Sequence, residues 1–300
     1  MSLRPFRKEA LLKKKVLTIA CAALVFLMAL GLTLYPLISS YVNEKYRSEI
    51  YTQYEKVIKQ ADDTELIEAR EAAHAYNKSI TPGTVEDDSY SREAIMEASV
   101  GYDELLNLAE NGTMGYVEIP RISVNLPIYH GTEFESLERG IGHLLGSSLP
   151  VGGRSTHSIL TGHSGMASQK MFTDLVQLEL GDKFYIHVLD ETLAYEVDSI
   201  NTVLPYDTSL LQISQYEDLC TLVTCTPLGV NTHRLLVRGT RIPYEEAEKM
   251  EEEEAFEEVE VSAWEQEYAR GIVVGLGAVA IVGIAFIAAW IYRRRHHAGS

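Results

Sequence analysis

Two short runs, Thr221-Leu222-Val223-Thr224-Cys225 and Arg234-Leu235-Leu236-Val237-Arg238, largely decide how this 300-residue chain is interpreted. A glycine and an asparagine lie between them, so the pattern predicts a strand, a turn and a second strand. The turn would bring the thiol of Cys225, at the end of the first strand, opposite the guanidinium of Arg234. A fixed positive charge beside a thiol favours the thiolate, which is the nucleophilic form of cysteine. We therefore predict that Cys225 is a nucleophile.

A cysteine nucleophile also needs a group that moves protons, and His163 is the candidate. It lies in Leu160-Thr161-Gly162-His163-Ser164-Gly165, where an apolar strand runs out into a glycine-flanked loop. A Cys and a His far apart in sequence are typical of a catalytic pair that the fold brings together. Arg238 is a rival to Arg234, because both would share one strand face. Arg238 lies farther from the strand end that carries Cys225.

Two stretches without charged residues, 16–43 and 271–292, predict two transmembrane helices, at residues 16–40 and 270–292. Basic tails flank them at residues 1–15 and 293–300, so the positive-inside rule places both termini in the cytoplasm. The part of the chain between the two helices would then lie on the extracellular face of the membrane. A cleaved secretory signal is the alternative for the first stretch.

The cysteines and the charge distribution argue against a disulfide and against nucleic acid as a partner. Cys21 lies inside the first apolar stretch, and Cys220 and Cys225 are five apart, so they should point to opposite faces of one strand and not form a disulfide. The net charge of −17 is concentrated in residues 244–269, which we interpret as an acidic linker. The sequence has no basic patch of the kind that would predict nucleic-acid binding. His157 shares a strand face with His163, but no further metal ligand accompanies the pair, so we expect neither a metal nor a cofactor.

The spacing of apolar residues changes once in the central part of the chain. Residues 41–110 form a helical region, with helical spacing over 46–76, a polar loop at 82–91 and a further short helix near 92–108. From residue 111 to 243 the period becomes two, which indicates a closed barrel or a sandwich. The candidate strands are residues 114–119, 124–129, 158–161, 183–188, 193–197, 218–224 and 235–240.

Three ordered motifs resemble the signatures of the sortases: Thr161-Gly162-His163, Thr221-Leu222-Val223-Thr224-Cys225 and Asn231-Thr232-His233-Arg234-Leu235. The surrounding segments at 115–131 and 147–153 are similar to class C, the pilin-polymerising branch. The resemblance spans about residues 75–243. It implies a mainly β fold, a closed eight-stranded sortase-type barrel with an N-terminal helical region, between the two predicted transmembrane helices.

The resemblance also implies an activity, that of a cysteine transpeptidase on a Gram-positive cell surface. Cys225 would cleave a sorting signal similar to Leu-Pro-x-Thr-Gly between Thr and Gly and form a thioacyl enzyme. A lysine side chain of another pilin would then resolve it, giving an isopeptide bond. His163 would transfer protons and Arg234 would stabilise the developing negative charge.

A lid is a further expectation from the resemblance. Class C members often carry Asp-Pro-aromatic before the barrel, whereas this chain has Asp88-Ser89-Tyr90. Asp88 and Tyr90 would cover the pocket, and Ser89 in place of proline should make closure weaker. An ordinary acidic turn is the alternative.

Two other functions stay open. A sortase that anchors proteins to the cell wall would differ only in using a peptidoglycan amine as acceptor. A non-catalytic, membrane-anchored binding module on the same barrel would be favoured by loss of His163, Cys225 or Arg234, and all three are present.

Overall fold

The computed structural model describes residues 4–80, 101–166, 169–245, 247 and 263–297. The chain divides into two compact units, one of residues 1–42 and 265–300 and the other of residues 43–264. The second unit contains the barrel and all three candidate catalytic residues.

Eight strands close into a barrel in the order β1-β2-β3-β4-β7-β8-β6-β5, which confirms the predicted mainly β, closed eight-stranded barrel. Two neighbouring pairs, β2 with β3 and β4 with β7, are parallel, and the other pairs are antiparallel. The strands are β1 Thr113–Ile119, β2 Val124–His130, β3 Ile141–His143, β4 Thr156–Thr161, β5 Lys183–Val188, β6 Glu191–Val203, β7 Asp218–Thr226 and β8 His233–Ile242.

Alternation along the strands gives the barrel wall two faces. Cys220 and Leu222 of β7 belong to the main hydrophobic core inside the barrel. Val223 belongs to a separate cluster with Ile159 and Leu236, on the other face of the same wall. Because successive side chains of a strand point to opposite faces, this second face also carries Cys225.

The predicted helical stretch over 46–76 is two helices, α1 Arg4–Gln60 and α2 Asp63–Ser79. The break comes at Asp62, whose side chain accepts a hydrogen bond of 2.8 Å from the Glu65 N–H and caps α2. The same α1 continues back through the apolar N-terminal stretch.

Buried polar contacts fix both helices against the barrel. The Tyr54 hydroxyl of α1 donates to the Met114 carbonyl at 3.1 Å and accepts from the Leu189 N–H at 2.8 Å. The Asn77 amide of α2 donates to the Leu149 carbonyl at 3.1 Å and accepts from its N–H at 2.7 Å. These bonds satisfy buried groups and set the position of each helix on the wall.

The prediction of a short helix near 92–108 is wrong for residues 101–108, the part of this range that the structure describes. Residues Tyr102–Glu104 form a single 3-10 turn, and the chain becomes extended at Leu105. Leu106 has a φ of 59°, which a continuing right-handed helix does not allow. Residues 92–100 lie outside the described residues. Two further helices are α3 Phe134–Arg139 and α4 Ala263–His297.

Among the described residues, one helical segment is long and apolar enough to cross a membrane, Lys14–Tyr35 in α1. A shorter apolar stretch, Ala269–Ala285, lies in α4. Within this unit the two helices meet at Gly275, where an added Cβ would lie 2.6 Å from Cγ2 of Thr33. Close approach at small residues is the usual mode of helix packing in membranes.

Candidate active site

The β7–β8 hairpin places Cys225 and Arg234 directly opposite each other, as the sequence predicts. Cys225 pairs with Arg234 and Thr226 with His233 at the turn end of the antiparallel ladder. The connecting turn is closed by hydrogen bonds from the Val230 and Asn231 N–H groups to the Pro227 carbonyl. Opposite residues of an antiparallel pair project from the same face, with Cβ atoms about 5 Å apart. The thiol and the guanidinium therefore share one side of the barrel wall.

The two cysteines of β7 have opposite environments. Cys220 is fully buried in the barrel core, and burial raises the pKa of its thiol well above the usual value. Cys225 is partly exposed, and neither residue forms a disulfide. The prediction that the pair points to opposite faces and stays unbridged is confirmed, and Cys225 is the accessible thiol of the two.

The loop after β4 brings His163 to the same end of the barrel. β4 runs parallel to β7 with Thr161 opposite Val223. The Gly162 N–H donates to the Val223 carbonyl at 2.9 Å, and its carbonyl accepts from the Thr224 hydroxyl at 2.8 Å. On the other side of His163, the Ser164 hydroxyl donates to the Cys225 carbonyl at 2.7 Å. Both chain neighbours of His163 are thus bonded to the strand that carries Cys225.

Gly162 has no room for a side chain. A Cβ there would lie 2.6 Å from Cδ1 of Ile141 and 2.7 Å from Cδ2 of Phe172. Since real Cβ contacts are never this short, only glycine allows the backbone before His163 to run this close to the core.

Arg238, the rival guanidinium, is engaged elsewhere. It lies opposite Thr221, four residues along β8 from Arg234. Its Nε and Nη2 donate to the two carboxylate oxygens of Asp198 at 2.9 and 3.1 Å, a forked ion pair. Arg234 is the arginine paired with Cys225 across the ladder, which supports its choice as the candidate.

The other histidines near the site have structural contacts. His157 is buried, with Nε2 at 2.7 Å from the Thr221 hydroxyl and Nδ1 at 2.9 Å from the Gln212 carbonyl oxygen. Burial lowers the pKa of His157 to about 4. Both of its ring nitrogens are thus occupied by protein groups, which argues against the metal pair with His163.

His143, which lies farther from the site, also makes structural contacts. His143 is fully buried between the Tyr102 hydroxyl and the Ser148 carbonyl, at 2.8 and 2.9 Å. Within the described residues, no three His, Cys, Asp or Glu side chains group as metal ligands would.

Sequence reasoning missed the residues that hold the site together. Ser164 and Thr224 fall inside the quoted motifs, but nothing in their identity shows that their hydroxyls bridge β7 and the His163 loop. Only the parallel β4–β7 register makes those contacts possible. The predicted lid residues Asp88 and Tyr90 lie outside the described residues.

Comparison with known proteins agrees with this geometry. The family described as Sortase domain matches residues 117–242. Sortase D of Bacillus subtilis is 30% identical over 131 residues, which cover 43% of this chain and 63% of that relative's length.

Solved structures give longer matches. Sortase C of Streptococcus pneumoniae is 42% identical with a TM-score of 0.59, covering 65% of this chain and 97% of that one. Sortase C1 of Streptococcus agalactiae is 44% identical with a TM-score of 0.60, covering 65% of this chain and 98% of that one. The barrel, the ordered motifs and these matches together show that the chain belongs to the sortase family, cysteine transpeptidases, and within it to class C.

Proposed function

We propose that this chain cleaves a C-terminal sorting signal between Thr and Gly and joins the new carboxyl end to an amine. The observation that carries the proposal is the pairing of Cys225 with Arg234, beside a loop that ties His163 to the same strand. A thiol, a permanent cation and an imidazole are the groups that acyl transfer through a thioester needs.

The first half-reaction forms the thioacyl enzyme. The Cys225 sulfur attacks the threonine carbonyl as the proton of the thiol passes to His163, and the carbonyl oxygen becomes negatively charged. Arg234 keeps its charge at any relevant pH and donates hydrogen bonds to that oxygen. His163 gives a proton to the glycine nitrogen as the Thr–Gly bond breaks. A thioester between the threonine carbonyl and Cys225 remains.

The second half-reaction reverses the proton transfer. His163 accepts a proton from the incoming amine, whose nitrogen attacks the thioester carbonyl. The Cys225 sulfur leaves, and an amide bond forms between threonine and the acceptor. With a lysine side chain as acceptor the product is an isopeptide bond.

We favour a pilin lysine as the acceptor, hence pilus assembly. The support is the similarity to the pneumococcal Sortase C, whose structure is described in terms of pilin substrate specificity. The runner-up is cell-wall anchoring through a peptidoglycan amine, which the same three residues could catalyse. The non-catalytic binding module loses support, since His163, Cys225 and Arg234 are all present and lie on elements that end at the same end of the barrel.

We also propose that the catalytic unit lies on the outer face of the cell membrane, anchored by α1 and α4. The apolar segment Lys14–Tyr35 and the contact of Gly275 with Thr33 support a helix pair in the bilayer. Basic residues precede the apolar segment of α1 and follow that of α4, which supports cytoplasmic termini.

The lid stays a proposal as well. If Asp88 and Tyr90 cover Cys225, removing either should speed alkylation of the thiol, because a closed population lowers reactivity in proportion to the open fraction. The measurement is the alkylation rate of Cys225 in wild type, Asp88→Ala, Tyr90→Ala and a deletion of residues 82–91. Equal rates in all four would identify an ordinary acidic turn.

A competition between two amines tests the function. The full chain in detergent would receive a Leu-Pro-x-Thr-Gly peptide together with a lysine-containing pilin peptide and a peptidoglycan stem peptide. We expect mainly the lysine isopeptide product by mass spectrometry. A product formed mainly with the stem peptide would support anchoring, and intact peptide under all conditions would support the binding module.

A further inference from the structure

The loop that carries His163 is also held at its far end, from outside the β7–β8 hairpin. Gln169 lies there with 8% of its surface exposed. Its Oε1 accepts a hydrogen bond of 3.1 Å from Nη1 of Arg47 in α1, and its Nε2 donates at 2.8 Å to the Glu138 carbonyl in α3. A buried amide with both sides bonded has one fixed orientation. Gln169 therefore ties this loop to two helices.

The far end of the loop is linked directly to His163. Met171 and Phe172, which follow Gln169 closely, are fully buried in the barrel core. The Phe172 N–H donates to the His163 carbonyl at 3.0 Å. The Gly165 N–H donates at 2.9 Å to the hydroxyl of Thr173. Because these bonds join the two ends of the loop, a shift at Gln169 would move the backbone that holds His163.

We propose that Arg47 and Gln169 are positioning residues for His163. The guanidinium of Arg47 makes its hydrogen bond charge-assisted, which strengthens the hold on Gln169. The carbonyl of Glu138 holds the other side of the amide. This inference rests on the proposed proton-transfer role of His163, and it assigns to α1 a part in catalysis besides packing against the barrel.

The test is steady-state cleavage of the sorting-signal peptide by the full chain in detergent. Arg47→Ala and Gln169→Ala should each lower kcat about tenfold, since small misplacements of a catalytic group slow the chemical step. KM should stay nearly constant, because neither residue is placed to bind the peptide. The double variant should be no slower than the slower single one, since both act through one contact. Arg47→Lys keeps a charged donor and should recover most of the rate.

Arg70→Ala is the matched control. Arg70 of α2 pairs with Asp190 and with Glu191, in the latter case at 3.4 Å, and so also ties a helix to the barrel. It has no described contact with the His163 loop. We expect its kcat to stay at the wild-type value even if its melting temperature falls. Amide hydrogen exchange should speed up at residues 163–166 and 169–172 in Arg47→Ala but not in Arg70→Ala.

Wild-type kcat in Arg47→Ala would overturn the inference, and so would an equal loss of kcat in Arg70→Ala. If Gln169→Ala does not fold, Arg47→Ala carries the test alone, because it alters only a half-buried side chain. Failure of the proposed function would give a different result from failure of this inference. In that case the wild-type chain itself would form no thioester with the peptide.

Discussion

Cys225 and Arg234 are paired residues of one antiparallel ladder, so backbone hydrogen bonding sets the separation of the two strand positions that carry the candidate nucleophile and the candidate cation. A strand pair is stiffer than a loop, so these two backbone positions move little relative to each other. This arrangement lowers the reorganisation required as negative charge develops. In the proposed mechanism, the strand pair would supply the charge stabilisation and the hydrogen-bonded loop would supply the proton transfer.

Replacement of the two arginines by lysine should separate their roles. Arg234→Lys keeps the charge but loses the forked donors, so we expect activity to fall by about 100-fold or more. Arg238→Lys should have a mild effect, since its pair with Asp198 is about one third exposed and such pairs contribute little. Peptide cleavage rates measure both. The reverse order would mean that Arg238 is the catalytic arginine.

Gly162→Ala should reduce both stability and activity. The added Cβ would overlap Ile141 and Phe172, and overpacking of this kind costs about 1–3 kcal/mol. The backbone before His163 would also shift. The matched control is Gly229→Ala in the β7–β8 turn, where φ is 75° and nothing lies within 4 Å, so that only the backbone penalty of about 1 kcal/mol applies. Urea unfolding and kcat would be measured for both. A Gly162→Ala chain with wild-type kcat would remove the argument that this glycine positions His163.

Two buried imidazoles should make stability fall in acid. Burial lowers the pKa of His143 and of His157 to about 4. The unfolded chain takes up these protons near the ordinary value of about 6.5. Between pH 6.5 and 4 the unfolded state therefore binds more protons, and the free energy of unfolding decreases as pH falls. The loss at pH 5 should be about 2 kcal/mol per histidine.

Urea midpoints at pH 7 and pH 5 test this dependence. His157→Asn should be less stable than wild type at pH 7, because its buried hydrogen bonds are altered. It should nevertheless lose less stability between the two pH values. An equal loss of stability between pH 7 and pH 5 in His157→Asn and in wild type would show that this imidazole does not contribute to the pH dependence.

Much of the barrel could be predicted from the sequence, because seven of its eight strands are six or more residues long. β5 was predicted with its observed bounds, Lys183–Val188. β3 was missed, since three residues show no period. β6 was predicted too short because a register shift between Val197 and Ser199 interrupts its alternation. The break between α1 and α2 had a signal in Asp62 and Glu65, a capping pattern that the continuous helical spacing obscured.

In the candidate site, the pairing of Cys225 with Arg234 could be predicted from the sequence, but the approach of His163 could not. A thiol and a guanidinium on adjacent strands follow from spacing alone. The approach of His163 depends on a parallel β4–β7 pair, and no local pattern encodes which distant strand will be the neighbour. Contacts such as Ser164 with Cys225 and Arg47 with Gln169 arise only after that topology forms.

In the proposed reaction, Cys225 forms a thioester with the sorting signal. The most direct measurement is intact-mass spectrometry of the full chain incubated with a Leu-Pro-x-Thr-Gly peptide, followed by mapping of the modified residue. Wild type and Cys220→Ala should gain the mass of the acyl fragment, with the modification on Cys225. Cys220→Ala should be less stable by about 1 kcal/mol, since it leaves a small gap in the core. Cys225→Ala should show no adduct, and an acyl adduct that survives in Cys225→Ala would contradict the claim.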